Sequence, residues 1–123
     1  MKKRITNLFA GLVLAAGLLS CEYEWVEPAV VVLPETVSFA GDIVPVFNKS
    51  CNMSGCHAQG GTAPDLTAAN AWIDLAQRGM INVQTPQQSL LYTSVATGSM
   101  KKFSTEANNA LILKWIEQGA RNN

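Results

Sequence analysis

The only histidine of this chain, His57, follows Cys56 directly, and a second cysteine, Cys51, lies a short way upstream. The segment reads Cys51-Asn-Met-Ser-Gly-Cys56-His57, so four residues separate the two thiols. With one imidazole in the chain, no site that needs two histidines from the same chain can form. Any site that uses histidine is therefore centred on this one loop.

Length, charge and cysteine content exclude several classes of protein. A chain of 123 residues has room for one domain of about 100–150 residues, which excludes a multidomain enzyme. The nine basic and nine acidic side chains give a net charge of zero, whereas a nucleic-acid-binding protein would need a basic face. Three cysteines are too few for a small disulfide-dense protein. We therefore expect a single small domain with no nucleic-acid partner.

The N-terminal segment is typical of a secreted bacterial lipoprotein. Basic residues at positions 2–4 precede an unbroken stretch of twelve apolar residues and glycines at positions 8–19. Such a stretch is too short to span a bilayer as a helix but suits the apolar region of a signal peptide. Small or apolar residues directly before Cys21 resemble a lipobox, in which the cysteine is lipidated and becomes the first mature residue. Ordinary signal cleavage is the alternative, but it would leave an unpaired thiol in an oxidising compartment.

Cleavage before Cys21 makes residues 1–20 the signal peptide and changes the charge of the mature chain. Three basic residues leave with the signal, so six basic and nine acidic side chains remain and the net charge becomes −3. Multiple acyl chains, at ~0.8 kcal/mol per buried methylene, hold far more strongly than one reversible anchor. We therefore expect the protein to be lipid-anchored in the cell envelope, at the outer membrane or on the periplasmic face, without crossing the membrane.

Residues 21–37 are predicted to join the lipid anchor to the domain. This segment contains two prolines and four glutamates. The prolines break any helix, so the segment is predicted to be an extended tether. The domain itself is predicted over residues 38–123.

Hydrophobic periodicity predicts that this domain is all-α. Apolar residues recur at helical spacing, glycines follow the expected helix ends, and no stretch alternates with a period of two. The predicted helices cover about residues 41–50, 68–77, 86–97 and 105–118, with a loop over 52–66. The residues expected to face the core are Trp72, Leu75, Ala76, Leu90, Leu91, Val95, Leu111, Ile112, Trp115 and Ile116.

A Cys-His dipeptide after a nearby upstream cysteine is typical of c-type haem attachment. In that chemistry the two thiols add across the haem vinyl groups, and the adjacent imidazole is held under the iron as proximal ligand. The usual Cys-x-x-Cys-His spacing is shorter, whereas here four residues intervene, and Gly55 would permit the tighter turns of the longer loop. The motif thus predicts thioether bonds from Cys51 and Cys56 and iron ligation by His57.

Three other interpretations of this loop stay open. Cys51 and Cys56 could form a disulfide in the periplasm, with His57 incidental. A structural zinc site needs a full tetrahedral ligand set, whereas with Cys21 lipidated only these three side chains are available. A Cys–His nucleophile is the last interpretation, although adjacent side chains rarely meet in the geometry it needs and secreted thiols oxidise.

From Phe39 to Ala120 the chain resembles the small c-type cytochrome domains common in proteins of Bacteroidetes and Planctomycetes. The matching pieces are Asp42-Ile-Val-Pro45-Val-Phe47, the Cys51–His57 motif, Pro86-Gln-Gln-Ser89-Leu-Leu-Tyr92, Met100 and Trp115-Ile116-Glu-Gln-Gly119-Ala120. They occur in this order over 82 residues, and many Bacteroidetes members share the longer loop between the cysteines. The resemblance implies a fold of about four helices around one covalently attached haem c.

The resemblance also implies a distal iron ligand, which a single histidine cannot supply. The family places its axial methionine in the loop before the last helix, where this chain has Met100. That methionine is normally followed by proline, whereas Lys101 follows here. Met80 is the other candidate, since Met53 lies between the attachment cysteines and cannot reach the opposite haem face. An open or water-ligated iron is the remaining alternative.

These features predict a membrane-anchored electron carrier rather than a catalyst, working with an unidentified redox partner protein. The sequence contains no evident acid–base pair or substrate pocket. A haem sensor with an open distal site and a haem-free, disulfide-bonded interaction module are the alternative functions. The side chains expected to wall the haem are Phe47, Trp72, Leu91, Trp115 and Ile116.

Overall fold

The regular structure of this protein is helical. The computed structural model describes residues 30–123, and no strand occurs among them. Its four α-helices are, in chain order, α1 (Val44–Ser50), α2 (Ala71–Gln77), α3 (Leu90–Ala96) and α4 (Glu106–Glu117). The predicted all-α class is confirmed for this part of the chain. The signal peptide, Cys21 and the first part of the tether lie outside the described residues. Within 30–123, no helix has the length and apolar character needed to cross a membrane.

The first helical segment begins earlier than its sequence pattern predicts. A π-helical turn, Phe39–Ile43, leads directly into α1. Ser38 caps this turn, because its Oγ accepts the Gly41 N–H at 3.0 Å while its own N–H donates to Asp42 Oδ2 at 2.8 Å. Such capping satisfies backbone groups that the start of a helix leaves without partners. Helix α1 then ends directly before Cys51, which places that thiol at the helix C-terminus.

Helix α2 begins at Ala71, later than predicted. The carboxylate of Asp65 explains the delay, because Oδ1 accepts the N–H and hydroxyl of Thr67 at 2.9 and 2.6 Å, and Oδ2 accepts the Asn70 amide at 2.9 Å. These local bonds hold the intervening residues as a turn outside the helix. At the other end Gly79, with φ of +64°, follows the helix as predicted.

The predicted third helix is divided in two. Pro86–Gln88 forms a 3₁₀ turn, and α3 follows only after Ser89, whose ψ of 131° interrupts the helical path. Ser89 is buried, and its hydroxyl accepts the Asn82 N–H at 2.8 Å and donates to the Asn82 carbonyl at 3.2 Å. This pair of bonds fixes the start of α3, from which Leu91 and Val95 enter the core as predicted.

Helix α4 has the boundaries that its end residues predict. Thr105 Oγ1 accepts the Asn108 N–H at 3.2 Å, and Gly119, with φ of +94°, ends the helix. The predicted core-facing residues of this helix are buried, apart from Leu111, which is half-buried. The helix therefore supplies one side of the core.

Two predicted core positions are wrong, and one of them is Leu90 at the start of α3, which is 55% exposed. Ala76 of α2 is exposed, whereas Ala71 and Leu75 are buried. The buried face of this short helix is centred on positions 71 and 75, and a step of one residue rotates the side chain by about 100°. Ala76 therefore turns away from the core.

The N-terminal edge of the domain is bonded to the C-terminal segment. Gln118 Oε1 accepts the Val37 N–H at 2.9 Å, and Gln118 Nε2 donates to the Glu35 carbonyl at 2.8 Å. The side-chain oxygen of Asn123 accepts the Phe39 N–H at 2.9 Å. Val37 is itself buried, so the ordered core begins at that residue.

Candidate functional site

A cavity of about 400 Å³ brings together four side chains that the sequence predicts as site residues. Cys51, Cys56 and His57 line it from the loop after α1, and Met100 lines it from the segment between α3 and α4. Its walls are mainly apolar, and its volume falls within the range of about 300–1,000 Å³ that is usual for ligand and cofactor sites. Residues far apart in sequence thus converge on a pocket that can hold a bound group.

The loop between the two cysteines is a compact series of turns. The Cys56 N–H donates to the Met53 carbonyl at 2.8 Å, and the His57 N–H donates to the Cys51 carbonyl at 3.1 Å. Gly55 has φ of +80°, a conformation that L side chains rarely adopt. The expected role of Gly55 in turning this longer loop is therefore confirmed.

The two thiols differ in their surroundings. Both are free, with Cys51 half-buried and Cys56 exposed. Burial raises the pKa of the Cys51 thiol, a hydrogen bond with Ser50 acts in the opposite direction, and the nearby Cys56 adds to the increase. Cys51 is therefore a neutral thiol at neutral pH.

The imidazole of His57 is fixed by two backbone carbonyl groups. Its Nδ1 lies 3.0 Å from the Thr62 oxygen and 3.0 Å from the Pro64 oxygen. Because carbonyl oxygens only accept, Nδ1 is the nitrogen that carries the proton in the neutral ring, and the lone pair is then on Nε2. Metal-binding histidines typically show this arrangement, since the outer hydrogen bond sets both tautomer and ring orientation.

Backbone contacts hold the segment that presents these two carbonyls. The Thr62 N–H donates to the Cys56 carbonyl at 2.7 Å, and the Leu66 N–H donates to the His57 carbonyl at 2.8 Å. Gly61 allows this approach, because a Cβ at that position would collide with the Cys56 carbonyl oxygen. The need for glycine at position 61 was not evident from the sequence, since it depends on a contact between two turns.

Two methionines line the cavity. Met100 is half-buried, its N–H donates to the Ser94 carbonyl at 3.0 Å, and it precedes a 3₁₀ turn, Lys101–Phe103. Met80 lines the same cavity, and its carbonyl accepts the Leu91 N–H at 3.0 Å. Met53 is 53% exposed and does not belong to the cavity lining. The pocket therefore offers two thioether sulfurs in addition to the imidazole.

Three of the five predicted wall residues do not line the cavity. Phe47 and Leu91 do line it. Trp72 donates its indole N–H to the Ala120 carbonyl at 2.8 Å, and Trp115 donates its own to the Arg121 carbonyl at 2.9 Å. Ile116 lies deep in the core. The two indoles are thus directed to the C-terminal segment and away from the cavity. The wall residues missed by sequence reasoning include Pro64, Leu66, Val95 and Phe103. Pro64 and Leu66 lie in a loop, where no periodic pattern reveals them.

Comparisons with known proteins leave the site to be interpreted from its own residues. No family model, curated protein or solved structure matches the chain. Among residues 30–123, no three His, Cys, Asp or Glu side chains gather into a metal-ion site. The donors at the cavity are one imidazole nitrogen and thioether sulfurs, beside two thiols on a mainly apolar wall. Histidine and methionine form a ligand set that suits haem iron, so the residues present fit a haem.

Proposed function

We propose that the protein is a membrane-anchored c-type cytochrome lipoprotein that transfers electrons through one covalently bound haem. In this proposal Cys51 and Cys56 hold the haem by thioether bonds, His57 is the proximal iron ligand and Met100 the distal ligand. The observation that carries it is the convergence of these four side chains on one mainly apolar cavity. Haem, when bound, supplies one-electron exchange between ferrous and ferric iron.

The hydrogen bonds that orient the His57 ring support the proposal. Two carbonyl oxygens at 3.0 Å hold the Nδ1 proton, so the ring has little freedom to rotate and Nε2 is the nitrogen available as ligand. A ligand whose tautomer and direction are already fixed loses less conformational freedom when it binds. The role of His57 is thus to present one lone pair in a constant direction.

The apolar walls support electron transfer rather than catalysis. Side chains such as Phe47, Leu66 and Leu91 line the cavity and would exclude water from a bound macrocycle. A low dielectric disfavours the more highly charged ferric state, and methionine ligation acts in the same direction, so both raise the reduction potential. The residues of the cavity would therefore set the potential, while an unidentified redox partner exchanges electrons with the haem.

The chemistry of Cys51 argues against a thiol nucleophile at this site. Thiol nucleophiles react as thiolates, whereas burial raises the pKa of the Cys51 thiol. A neutral, half-buried thiol can still form a thioether when a maturation enzyme presents the haem.

The proposed cellular position rests on the N-terminal sequence. Lipidation of Cys21 would anchor the mature chain to a membrane of the cell envelope, and the tether would connect this anchor to the haem domain. The expected location is the outer membrane or the periplasmic face. No sequence-specific contact with nucleic acid forms part of this function.

A haem stain of the denatured protein tests the proposal directly. The full chain is produced in cells that carry the cytochrome c maturation system, denatured, separated on a gel and stained for haem. Thioether-linked haem survives denaturation, so the wild-type band stains, whereas C51S/C56S does not. The matched control is C21S, which also removes a cysteine but leaves the attachment pair, and it should stain fully. An unstained wild-type band in these cells would refute the proposal.

A further inference from the structure

One peptide group connects His57 to a carboxylate on helix α2. The Pro64 carbonyl oxygen lies 3.0 Å from His57 Nδ1 and accepts a hydrogen bond from its N–H group. The Asp65 N–H, which belongs to the same planar peptide unit, donates to Asp74 Oδ2 at 2.6 Å. The imidazole and the carboxylate therefore bind opposite ends of one amide.

This arrangement transmits charge from Asp74 to His57. A hydrogen bond to an ionised acceptor is shorter and stronger than one between neutral groups. It polarises the amide, and successive hydrogen bonds in a chain strengthen one another. The Pro64 oxygen thereby becomes a better acceptor, and the imidazole gains electron density. The Thr62 oxygen also accepts from His57 Nδ1.

The surroundings of Asp74 keep its carboxylate ionised and in place. Arg78 Nε donates to the same Oδ2 at 2.9 Å, and the Asp74 side chain is only 21% exposed. The hydrogen bond from Arg78, followed by that from the Asp65 N–H, lowers the pKa of Asp74. Arg78 also withdraws part of the negative charge, so the two residues of this pair have opposite effects on the amide.

We propose that Asp74 is a positioning residue that acts on His57 through the Pro64–Asp65 peptide group and increases the electron density at His57 Nε2. This inference rests on the proposed function: in the haem-loaded protein, the added electron density on His57 favours ferric iron and lowers the reduction potential. Arg78 moderates the effect. The pair thus adjusts the potential from outside the cavity, since neither residue lines it.

Three substitutions of the full chain test this connection. D74N keeps an oxygen acceptor for the Asp65 N–H but removes the charge, and R78Q leaves the charge on Asp74 less neutralised. The matched control is D65N, which removes a neighbouring negative charge whose carboxylate binds Thr67 and Asn70 rather than the peptide group. Urea unfolding identifies any variant that is grossly destabilised.

The first measurement is the reduction potential of each haem-loaded variant. D74N should raise the ratio of reduced to oxidised protein several-fold at a fixed ambient potential, R78Q should lower it, and D65N should change it less than D74N does. Loss of structure alone would not shift the reduction potential in opposite directions in D74N and R78Q. Equal shifts in D74N and D65N, or no shift in D74N, would overturn the proposal.

The second measurement reports on the hydrogen bond of His57 and can be made with or without haem. In ¹⁵N-labelled protein, the resonance of the His57 Nδ1 proton should move upfield in D74N because its hydrogen bond weakens, and it should stay in place in D65N. This comparison is made on the reduced haem protein, or on the haem-free chain if the stained gel shows no attachment. An unchanged Nδ1 proton in D74N would refute the connection, whereas a missing haem stain would refute only the proposed function.

Discussion

The indole of Trp115 packs against the ring of Phe39, with 5.1 Å between ring centroids and 32° between ring planes. Phe39 in turn meets Phe47 edge-on at 6.4 Å. Phe47 also lines the cavity, so α4 supports the cavity wall through two aromatic contacts. Such aromatic pairs contribute beyond the apolar area that they bury. The helix that ends before Cys51 is thereby attached to the last helix of the fold.

Truncating Trp115 should strongly destabilise the domain. We expect W115A to lower the free energy of unfolding by about 3–5 kcal/mol, because a large buried side chain leaves a cavity that its neighbours cannot refill. Urea denaturation followed by circular dichroism measures the loss. The matched control is I73A on helix α2, where the side chain is 44% exposed and the cost should stay near 0.5 kcal/mol. Similar losses in the two variants would contradict the assignment of Trp115 to the core.

Alanine at position 61 should disturb the loop that carries Cys51, Cys56 and His57. The added Cβ would collide with the Cys56 carbonyl oxygen and lie 3.0 Å from that of Ala58. We expect G61A to lower the free energy of unfolding by about 1–3 kcal/mol and to reduce the fraction of chains that stain for haem. At Gly41 a new Cβ has its nearest neighbour at 3.4 Å, so G41A should keep both properties. Equal behaviour of G61A and G41A would show that the close approach is unimportant.

Carbon monoxide distinguishes the two methionines of the cavity. If Met100 ligates the iron, reduced wild-type protein and M80A should bind carbon monoxide slowly or not at all, whereas M100A should bind it rapidly because the distal position is open. The change is followed in the visible absorption spectrum after mixing. Rapid binding by M80A alone would assign the ligand to Met80. Rapid binding by the wild type would favour a sensor with an open distal site.

Acid should destabilise the protein through two aspartates. Hydrogen bonds from the Thr67 hydroxyl, the Thr67 N–H and Asn70 lower the pKa of Asp65, and those from Arg78 and the Asp65 N–H lower that of Asp74. A lowered folded-state pKa gives stability that is complete above the unfolded pKa of ~3.9 and is lost as the pH falls through the folded value.

The free energy of unfolding should therefore fall as the pH is lowered from about 5 through 3.9 and below. Urea denaturation at a series of pH values measures the decrease. D65N should be less stable than wild type at neutral pH, and the two curves should converge in acid as Asp65 becomes protonated. Parallel curves over the whole range would contradict the stabilising role of the Asp65 carboxylate.

If the chain holds haem as proposed, its haem-free form should fold poorly. A domain of this size has a marginal core, and removing the macrocycle leaves an apolar cavity of about 400 Å³ exposed to water. C51S/C56S should therefore melt at a lower temperature and less cooperatively than the haem-loaded protein in a calorimetric scan. A melt as cooperative as that of the wild type would mean that the helices need no haem to pack.

Local chemistry made several elements of this fold predictable. Thr105 and Gly119 delimit α4 by hydrogen bonding and by a left-handed backbone, and both effects depend only on neighbouring residues. The start of α2 was misplaced because the Asp65 carboxylate captures Thr67 and Asn70 before the helix can include them. The spacing of apolar residues gives no information about this competition between side-chain and backbone hydrogen bonds.

The candidate site was predictable in its residue types but not in its surroundings. Cys51, Cys56 and His57 carry their own chemistry, so their spacing was informative. The tautomer of His57 depends on the carbonyls of Thr62 and Pro64, whose positions follow from the path of a loop. The two tryptophans do not line the cavity as predicted. The partners of their indole N–H groups lie beyond α4 and follow from tertiary packing.

If the chain is anchored at Cys21 as proposed, the bonds from Gln118 to Glu35 and Val37 have a mechanical consequence. A pull on the chain before residue 30 reaches these hydrogen bonds first and passes from them into α4. The loop that carries Cys51, Cys56 and His57 takes no part in these hydrogen bonds. With such an anchor, a pull through the N-terminal segment would load the end of α4 before it reaches the loop around His57.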